Sequence, residues 1–250
     1  MESLRQQVNG QTAGYADALL QNGFYSGDWT VVCDFDGTIT PYDVTDAILQ
    51  CFALPEWEAA EEAWTGGRIT ARECMEIQVS LLRAPKKELD AFLDSVPVDE
   101  SFGDFVALCR NAEVSLTIVS DGLDYAIQRI LAAHGLENVP FVANRLVPQG
   151  GGRYRLEFPH GASDCPSGVC KCRAAESGAG GMLLIGDGRS DFCLARNSSF
   201  ILAKQDRELL RHCWNTSYPH AAYSGFSDIL SLFGTQKTDG IPLTDFRGNL

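Results

Sequence analysis

The sequence predicts an α/β fold: a Rossmann-like, mostly parallel sheet with helices on both faces, plus an inserted α-helical cap. Three observations predict it. Short apolar runs of strand length alternate with helical patterns. The runs are apolar at nearly every position, as in strands buried on both faces. Over residues 41–110 the alternation gives way to helical patterns alone. The expected domains are a core of residues 1–40 and 111–250, with 1–28 as an N-terminal extension, and a cap of residues 41–110.

Trp29 to Cys33 is the first expected strand. Within the insert, helices are expected over Val44–Phe52, Glu56–Trp64, Thr70–Leu82 and Pro85–Leu93. Leu54-Pro55, Gly66-Gly67 and Ala84-Pro85 break them, and Thr70 with Glu73 has the spacing of a capping box. Val114 to Val119 is a second strand ending in Ser120-Asp121-Gly122, followed by a helix from Asp124 to His134. Phe141 to Ala143 leads into a hairpin of Arg145–Val147 and Tyr154–Phe158, with the glycines at 150–152 in its turn. Met182 to Ile185 ends in Gly186-Asp187-Gly188 ahead of a helix from Ser190. Phe200 to Leu202 precedes a helix from Asp206 to His212. A short helix is expected around Tyr15 to Leu20, and the tail from Gly234 to Leu250 reads as a polar surface strap.

The chain has 250 residues, 45% of them hydrophobic, enough for one large domain or a domain with an inserted module. A formal charge of -13 without any basic run argues against nucleic acid and anionic membranes as partners. It does not exclude a small anionic substrate, because a bound cation can invert the field at one site. No stretch approaches the ~20 apolar residues that span a bilayer. The first residues lack the basic start and apolar run of a signal peptide. A cytoplasmic location is therefore expected, with the nine cysteines mostly reduced. No pattern in the chain encodes an oligomeric state.

In an open α/β sheet, ligands bind beyond the carboxyl ends of the strands. Three predicted strands deliver polar groups to that edge: Asp34 and Asp36, then Ser120, then Asp187. One shared site explains them better than three unrelated turns. Clustered carboxylates raise one another's pKa unless a cation sits between them. A hard, oxygen-loving ion such as Mg²⁺ suits Asp34 and Asp187. With that ion bound, one carboxylate can attack a phosphate as a nucleophile. A second, two residues later, can protonate the leaving oxygen and then activate water. Gly37 would let the backbone approach the phosphate closely. Ser120 and the amides after it, at Asp121 and Gly122, would donate to the transferring group. A fixed cation completes the set: Lys171 in CPSGVCKC, with Arg173 as its competitor.

These motifs, DFDGT at 34–38, the strand ending at Ser120, Lys171, and GDGRSD at 186–191, resemble the four ordered motifs of the haloacid dehalogenase superfamily of phosphohydrolases. The resemblance spans roughly residues 30–195. It implies a Mg²⁺-dependent phosphomonoester hydrolase for a small phosphorylated metabolite. Asp34 would form an aspartyl-phosphate. Asp36 would be the general acid/base, its backbone carbonyl helping to hold Mg²⁺. Ser120 and Lys171 would bind the phosphoryl group, Asp187 would ligate the metal, and Asp191 would orient it directly or through water. The insert resembles the family's helical cap.

The phosphoserine phosphatase-like branch is the most similar. PHGASDCPSGVCKC at 159–172 is similar to the cysteine-bearing segment of methionine-salvage phosphatases that act on 2-hydroxy-3-keto-5-methylthiopentenyl-1-phosphate. Its Cys-Pro-x-x-x-Cys-Lys core also resembles phosphoethanolamine and phosphocholine phosphatases. Asp121 departs from the glycine that phosphoserine and salvage phosphatases tend to have. Asp43 stands where phosphoserine phosphatases carry an acid that meets the substrate's amine; the salvage phosphatases resemble the chain there too, so Asp43 is a cap-side candidate that does not discriminate between them. A phosphotransferase or mutase, and a non-catalytic phosphoryl-binding module, are the alternatives from other classes.

Cys165, Cys170 and Cys172 read either as a metal site, with His160 as a fourth ligand, or as free thiols. The remaining cysteines are expected in the core. Trp57 and Trp64, one heptad apart, are expected to pack within the cap.

Overall fold

The computed structural model describes residue 24 and residues 28–175 and 179–234. In chain order it contains β1 (Trp29–Cys33), α1 (Val44–Phe52), α2 (Trp57–Thr65), α3 (Ala71–Ser80), α4 (Lys86–Asp94) and α5 (Phe102–Asn111). Then follow β2 (Ser115–Leu123), α6 (Asp124–Ala133), β3 (Phe141–Gly150), β4 (Arg153–Glu157), α7 (Lys171–Ala174) and β5 (Gly181–Gly186). A 3₁₀ turn (Arg189–Asp191) leads to α8 (Phe192–Ala195), β6 (Phe200–Lys204), α9 (Glu208–Thr216), β7 (His220–Tyr223) and α10 (Phe226–Gly234).

The seven strands form one sheet in the order β4-β3-β2-β1-β5-β6-β7. All neighbours are parallel except β3 and β4, which are antiparallel. The chain leaves β1 in one direction toward β2 and β3, then crosses back to β5 and β6. The carboxyl end of β1 is therefore the switch point where a crevice opens.

Successive residues of a strand face opposite sides of the sheet, and each side has its own core. Val31, Cys33, Leu183 and Ile185 belong to the larger cluster, which continues into the insert through Ile48, Val79 and Leu89. Val32, Leu184, Ile201 and Ala203 belong to the second cluster, under Leu209 and Leu210 of α9. Each valine, leucine or isoleucine among them is worth about 1.5–3 kcal/mol when fully buried. Two apolar faces per strand explain why the runs read as continuous.

The helices of the insert begin and end close to where sequence pattern puts them. Thr70 and Glu73 close the capping box at the start of α3, with Thr70 N–H donating to Glu73 Oε2 at 2.7 Å. Helices α1 to α3 contribute residues to the cleft at the strand ends, whereas α4 packs against α6 of the core. Helix α5, expected within the same insert, packs instead against β2 and α10 of the core.

Several details differ from expectation. Strand β2 runs past Ser120 to Leu123, with a shift of register against β3 between Val119 and Leu123. The expected third strand and first hairpin strand are one element, β3, parallel to β2 at its start and antiparallel to β4 at its end. Strand β7 and helix α10 carried no expectation. Cys51 is exposed and Cys193 only half-buried, whereas Cys33, Cys74, Cys109 and Cys213 are buried as expected. The helix expected at Tyr15 to Leu20, and all of the tail beyond Gly234, lie outside the described residues. Among the described residues no helix is long and apolar enough to cross a membrane.

Candidate active site

Strand β1 delivers Asp34 because its ladder with β5 continues one residue beyond Cys33: Asp34 N–H donates to Ile185 O at 2.9 Å. The Asp34 carboxylate then turns inward. Its Oδ1 accepts from Phe35 N–H at 2.8 Å and lies 2.9 Å from Lys171 Nζ. Lys171 also donates to Asp191 Oδ1 at 2.7 Å. These three side chains form a sealed row, with Lys171 1% and Asp191 0% exposed.

Burial works against the charge of Lys171. The Asp191 and Asp34 carboxylates outweigh it and hold the ammonium pKa well above its ordinary value. Burial raises the Asp34 carboxyl, Lys171 opposes that rise, and Asp191 and Asp187 add to it. Arg173, the competing cation, is exposed and paired with exposed Asp164 at 3.0 Å, away from this row.

Asp36 follows in a tight turn and points elsewhere. Its Oδ1 accepts from Val44 N–H at 2.9 Å, and its Oδ2 lies 3.5 Å from Ser120 Oγ. Burial, then the nearby charges of Asp43 and Asp34, raise its carboxyl well above the usual range, although the Val44 N–H opposes them. Burial raises both acids, so what sets Asp36 apart from Asp34 is its partners and not the direction of its shift. Ser120 Oγ accepts from Gly122 N–H at 2.9 Å, so these two residues form one small turn beside Asp36.

Asp187, at the end of β5, completes a group of three carboxylates with Asp34 and Asp191. One oxygen of each lies within 4.8 Å of the others. Burial, and then Asp191, push the Asp187 carboxyl up to about 6 in the absence of a cation. Arg207 offsets this weakly, its Nε being 3.9 Å from Asp187 Oδ2. Three hard oxygen donors this close, two of them, Asp34 and Asp187, with carboxyls raised by burial and by their neighbours, fit a divalent cation such as Mg²⁺. The carboxylate of Asp36 is not among them.

Gly37 has φ +69, and a Cβ there would stand 2.6 Å from Asp187 Oδ2. The close neighbour that requires glycine is thus a carboxylate of the site itself, not only an incoming phosphate.

Asp121 lines the cleft, but its carboxylate is committed to the fold. Its Oδ1 accepts from Val169 N–H at 2.7 Å, and its backbone carbonyl accepts from buried Asn144 at 2.6 Å. The Ser120-Asp121-Gly122 stretch does not cap α6. That position falls to Leu123, and Asp124 receives the Tyr125 N–H.

These groups form the floor of a cleft of about 660 Å³ whose roof is the insert. Asp43 is at the rim, accepting the Asp46 N–H as the cap of α1. The roof carries residues that sequence motifs did not single out: Glu61, Ile69, Met75 and Gln78. Gln78 donates to Glu61 at 3.0 Å. Half-buried Trp64 also lines the cleft, with the Arg189 guanidinium 5.7 Å from its ring centroid, and Trp57 packs against the larger core cluster. The tryptophan heptad was the one visible signal for this wall. No three thiols of Cys165, Cys170 and Cys172, with or without His160, meet the same proximity that the aspartates do. They are free thiols around Lys171.

A profile of the haloacid dehalogenase-like hydrolase family matches residues 31–196. A 2-hydroxy-3-keto-5-methylthiopentenyl-1-phosphate phosphatase of Geobacillus thermodenitrificans is 31% identical over 206 residues, covering 79% of this chain and 92% of that one. The enzyme of that name from Brevibacillus brevis is 28% identical, covering 80% and 92%. In fold the chain resembles a phospho-aspartyl intermediate analogue of phosphoserine phosphatase, with a TM-score of 0.58 at 17% identity, covering 82% of this chain and 98% of that one. The profile match over most of the described core, together with these relatives, shows that the chain belongs to the haloacid dehalogenase-like hydrolase family and is a phosphatase.

Proposed function

We propose that this phosphatase is a Mg²⁺-dependent phosphomonoester hydrolase that works through an aspartyl-phosphate on Asp34. The observation that carries the reading is the division between the two acids of the first motif. Asp34 is held against Lys171 in the carboxylate group, whereas Asp36 is turned away from it toward the Val44 N–H and Ser120 Oγ.

An oxygen of Asp34 attacks phosphorus in line as the ester P–O bond breaks, and Asp36 gives its proton to the departing alkoxide. Ionised Asp36 then takes a proton from water. The water oxygen attacks the same phosphorus, the bond to Asp34 breaks, and inorganic phosphate leaves. Lys171 and the Ser120 hydroxyl, with the Asp121 amide, hold the phosphoryl oxygens during both transfers, while the Gly122 N–H orients Ser120 Oγ. Mg²⁺, held by Asp34, Asp187 and the Asp36 carbonyl with Asp191 beside it, would neutralise phosphate charge so that a carboxylate can approach. The insert 41–110 acts as the cap, with α1 to α3 over the cleft.

The proposed substrate is a small phosphorylated metabolite, first among them the ester named for the relatives. The partly apolar roof at Ile69, Met75 and Trp64 suits a thioether tail. Asp46 and Glu61 on the same cleft favour a second reading, an amine-bearing ester such as phosphoethanolamine, phosphocholine or phosphoserine. A phosphate-release screen over these esters, with Mg²⁺ and water as sole acceptor, tests the proposal. Release from one of them is expected. Transfer to an organic acceptor without release would make the protein a phosphotransferase, and no turnover would leave only phosphoryl binding.

A further inference from the structure

The segment from Pro159 to Cys170 has no regular secondary structure, yet it ends on Lys171, the buried cation of the site. Something must fix it, because a lysine at the end of a loose loop would not hold one position. Among its own backbone bonds are Gly161 N–H to Phe158 O, Cys165 N–H to Ala162 O and Cys170 N–H to His160 O. From the core, Asp121 takes the Val169 N–H. Val169 is itself buried in the second core cluster, and Arg173 pairs with Asp164 of the segment at 3.0 Å. A further hold comes from the insert.

Arg72, in the first turn of α3, reaches into this segment. Its Nη2 donates to Ala162 O at 2.9 Å, Cys165 O at 3.2 Å and Ser167 O at 2.9 Å. Its Nε donates to Ser167 O at 3.2 Å, and its backbone N–H to Pro166 O at 2.9 Å. The guanidinium also lies 5.5 Å from the ring centroid of Phe158. Gly161 leaves room for it: a Cβ there would stand 2.8 Å from Arg72 Nη2. A planar fork with several donors suits a set of converging carbonyls, and a single ammonium does not.

We propose that Arg72 is a positioning residue for Lys171, tying the insert to the segment that aims the cation. The inference rests on the reading of Lys171 as a phosphoryl-binding group. Core and insert then share one part. The insert cannot shift away from the Ala162–Ser167 carbonyls without loosening the loop that leads to Lys171. Misplacing a binding group by about 1 Å can cost on the order of 100-fold in rate.

The test compares Arg72→Ala and Arg72→Lys with the native protein. It measures kcat and KM for p-nitrophenyl phosphate, inhibition by inorganic phosphate, and hydrogen exchange over residues 162–171. Both variants are expected to lose phosphate affinity and kcat, Arg72→Ala on the order of 100-fold in kcat/KM and Arg72→Lys less. Exchange should quicken at 162–171 but not in α2 or α4. A variant that melts earlier yet keeps native phosphate inhibition and kcat overturns the proposal, since that is what a merely structural arginine would do.

Lys171→Gln combined with Asp191→Asn, which leaves fewer uncompensated buried charges than the lysine change alone, separates the two claims. If this pair keeps native phosphate inhibition, the Lys171 reading fails and the proposal with it. If the pair weakens inhibition and Arg72→Ala does not, the positioning claim alone fails.

Discussion

Lys171 Nζ lies 2.7 Å from Asp191 Oδ1, and neither side chain reaches solvent. A buried ion pair contributes little net stability beside an apolar pair of the same shape, but removing one partner strands the other. Lys171→Met should therefore destabilise the protein by about 3–5 kcal/mol. Adding Asp191→Asn to it should recover part of that loss. Urea unfolding of the two variants measures both effects, and a cost below about 1 kcal/mol for Lys171→Met, the range of exposed pairs, would mean that the row opens to water in solution.

Asp187 gives a pH signature. Its carboxyl is pushed from 3.8 up to about 6 by burial and by Asp191 when no cation is bound. The folded state therefore holds that proton more tightly than the unfolded chain does. Its contribution to stability is fully present below the unfolded pKa and is lost as pH rises through about 6. A divalent cation acts in the opposite sense, binding the ionised group. Mg²⁺ should raise Tm clearly at pH 7.5 and little at pH 4.5, both about 1.5 units from the folded pKa. An equal rise at the two pH values, or none, would separate the carboxylate group from metal binding.

Gly37→Ala tests the turn between the two acids and Asp187. The substitution brings a Cβ into a left-handed conformation and to within 2.6 Å of Asp187 Oδ2. The conformation alone costs roughly 1–2 kcal/mol. The displaced carboxylate should raise the Mg²⁺ concentration needed for half-maximal activity. An unchanged Mg²⁺ requirement in a folded variant would show that Asp187 does not hold the ion.

Asp121 separates acceptor chemistry from charge. Asp121→Asn keeps an oxygen for the Val169 N–H, whereas Asp121→Ala strands that donor at a cost of about 1–3 kcal/mol. Denaturant melts should show the alanine variant destabilised by that amount and the asparagine variant much less. Equal losses would mean that the carboxylate's charge, rather than its hydrogen bond, holds the segment.

What the sequence made legible follows from local chemistry. Residues 31–33 and 182–185 read as strands because both of their faces are buried, which leaves an unbroken apolar run. Asp34, Asp36 and Asp187 were legible because a parallel sheet sends every strand's carboxyl end to one edge. Lys171 was separable from Arg173 only in three dimensions, where one meets two buried carboxylates and the other meets solvent. The cleft wall at Glu61 and Gln78 was not legible, because those residues meet through the packing of α2 on α3 and share no motif. Asp121 read as a donor site at a strand end, but its partner Val169 lies 48 residues away, a distance no local pattern encodes. Strand β7 was too short, and too dependent on its pairing with β6, to stand out from a loop.

The measurement that bears most directly on the mechanism is phosphoryl trapping in Asp36→Asn. The p-nitrophenolate leaving group needs no protonation, so the first transfer should proceed, while water activation without the Asp36 carboxylate should stall. Rapid acid quench during turnover of p-nitrophenyl phosphate, followed by peptide mapping, is expected to find one phosphoryl group on Asp34, together with a stoichiometric burst of p-nitrophenolate. A phosphoryl group on any other residue, or steady turnover with neither burst nor phosphoenzyme, would contradict an Asp34 nucleophile.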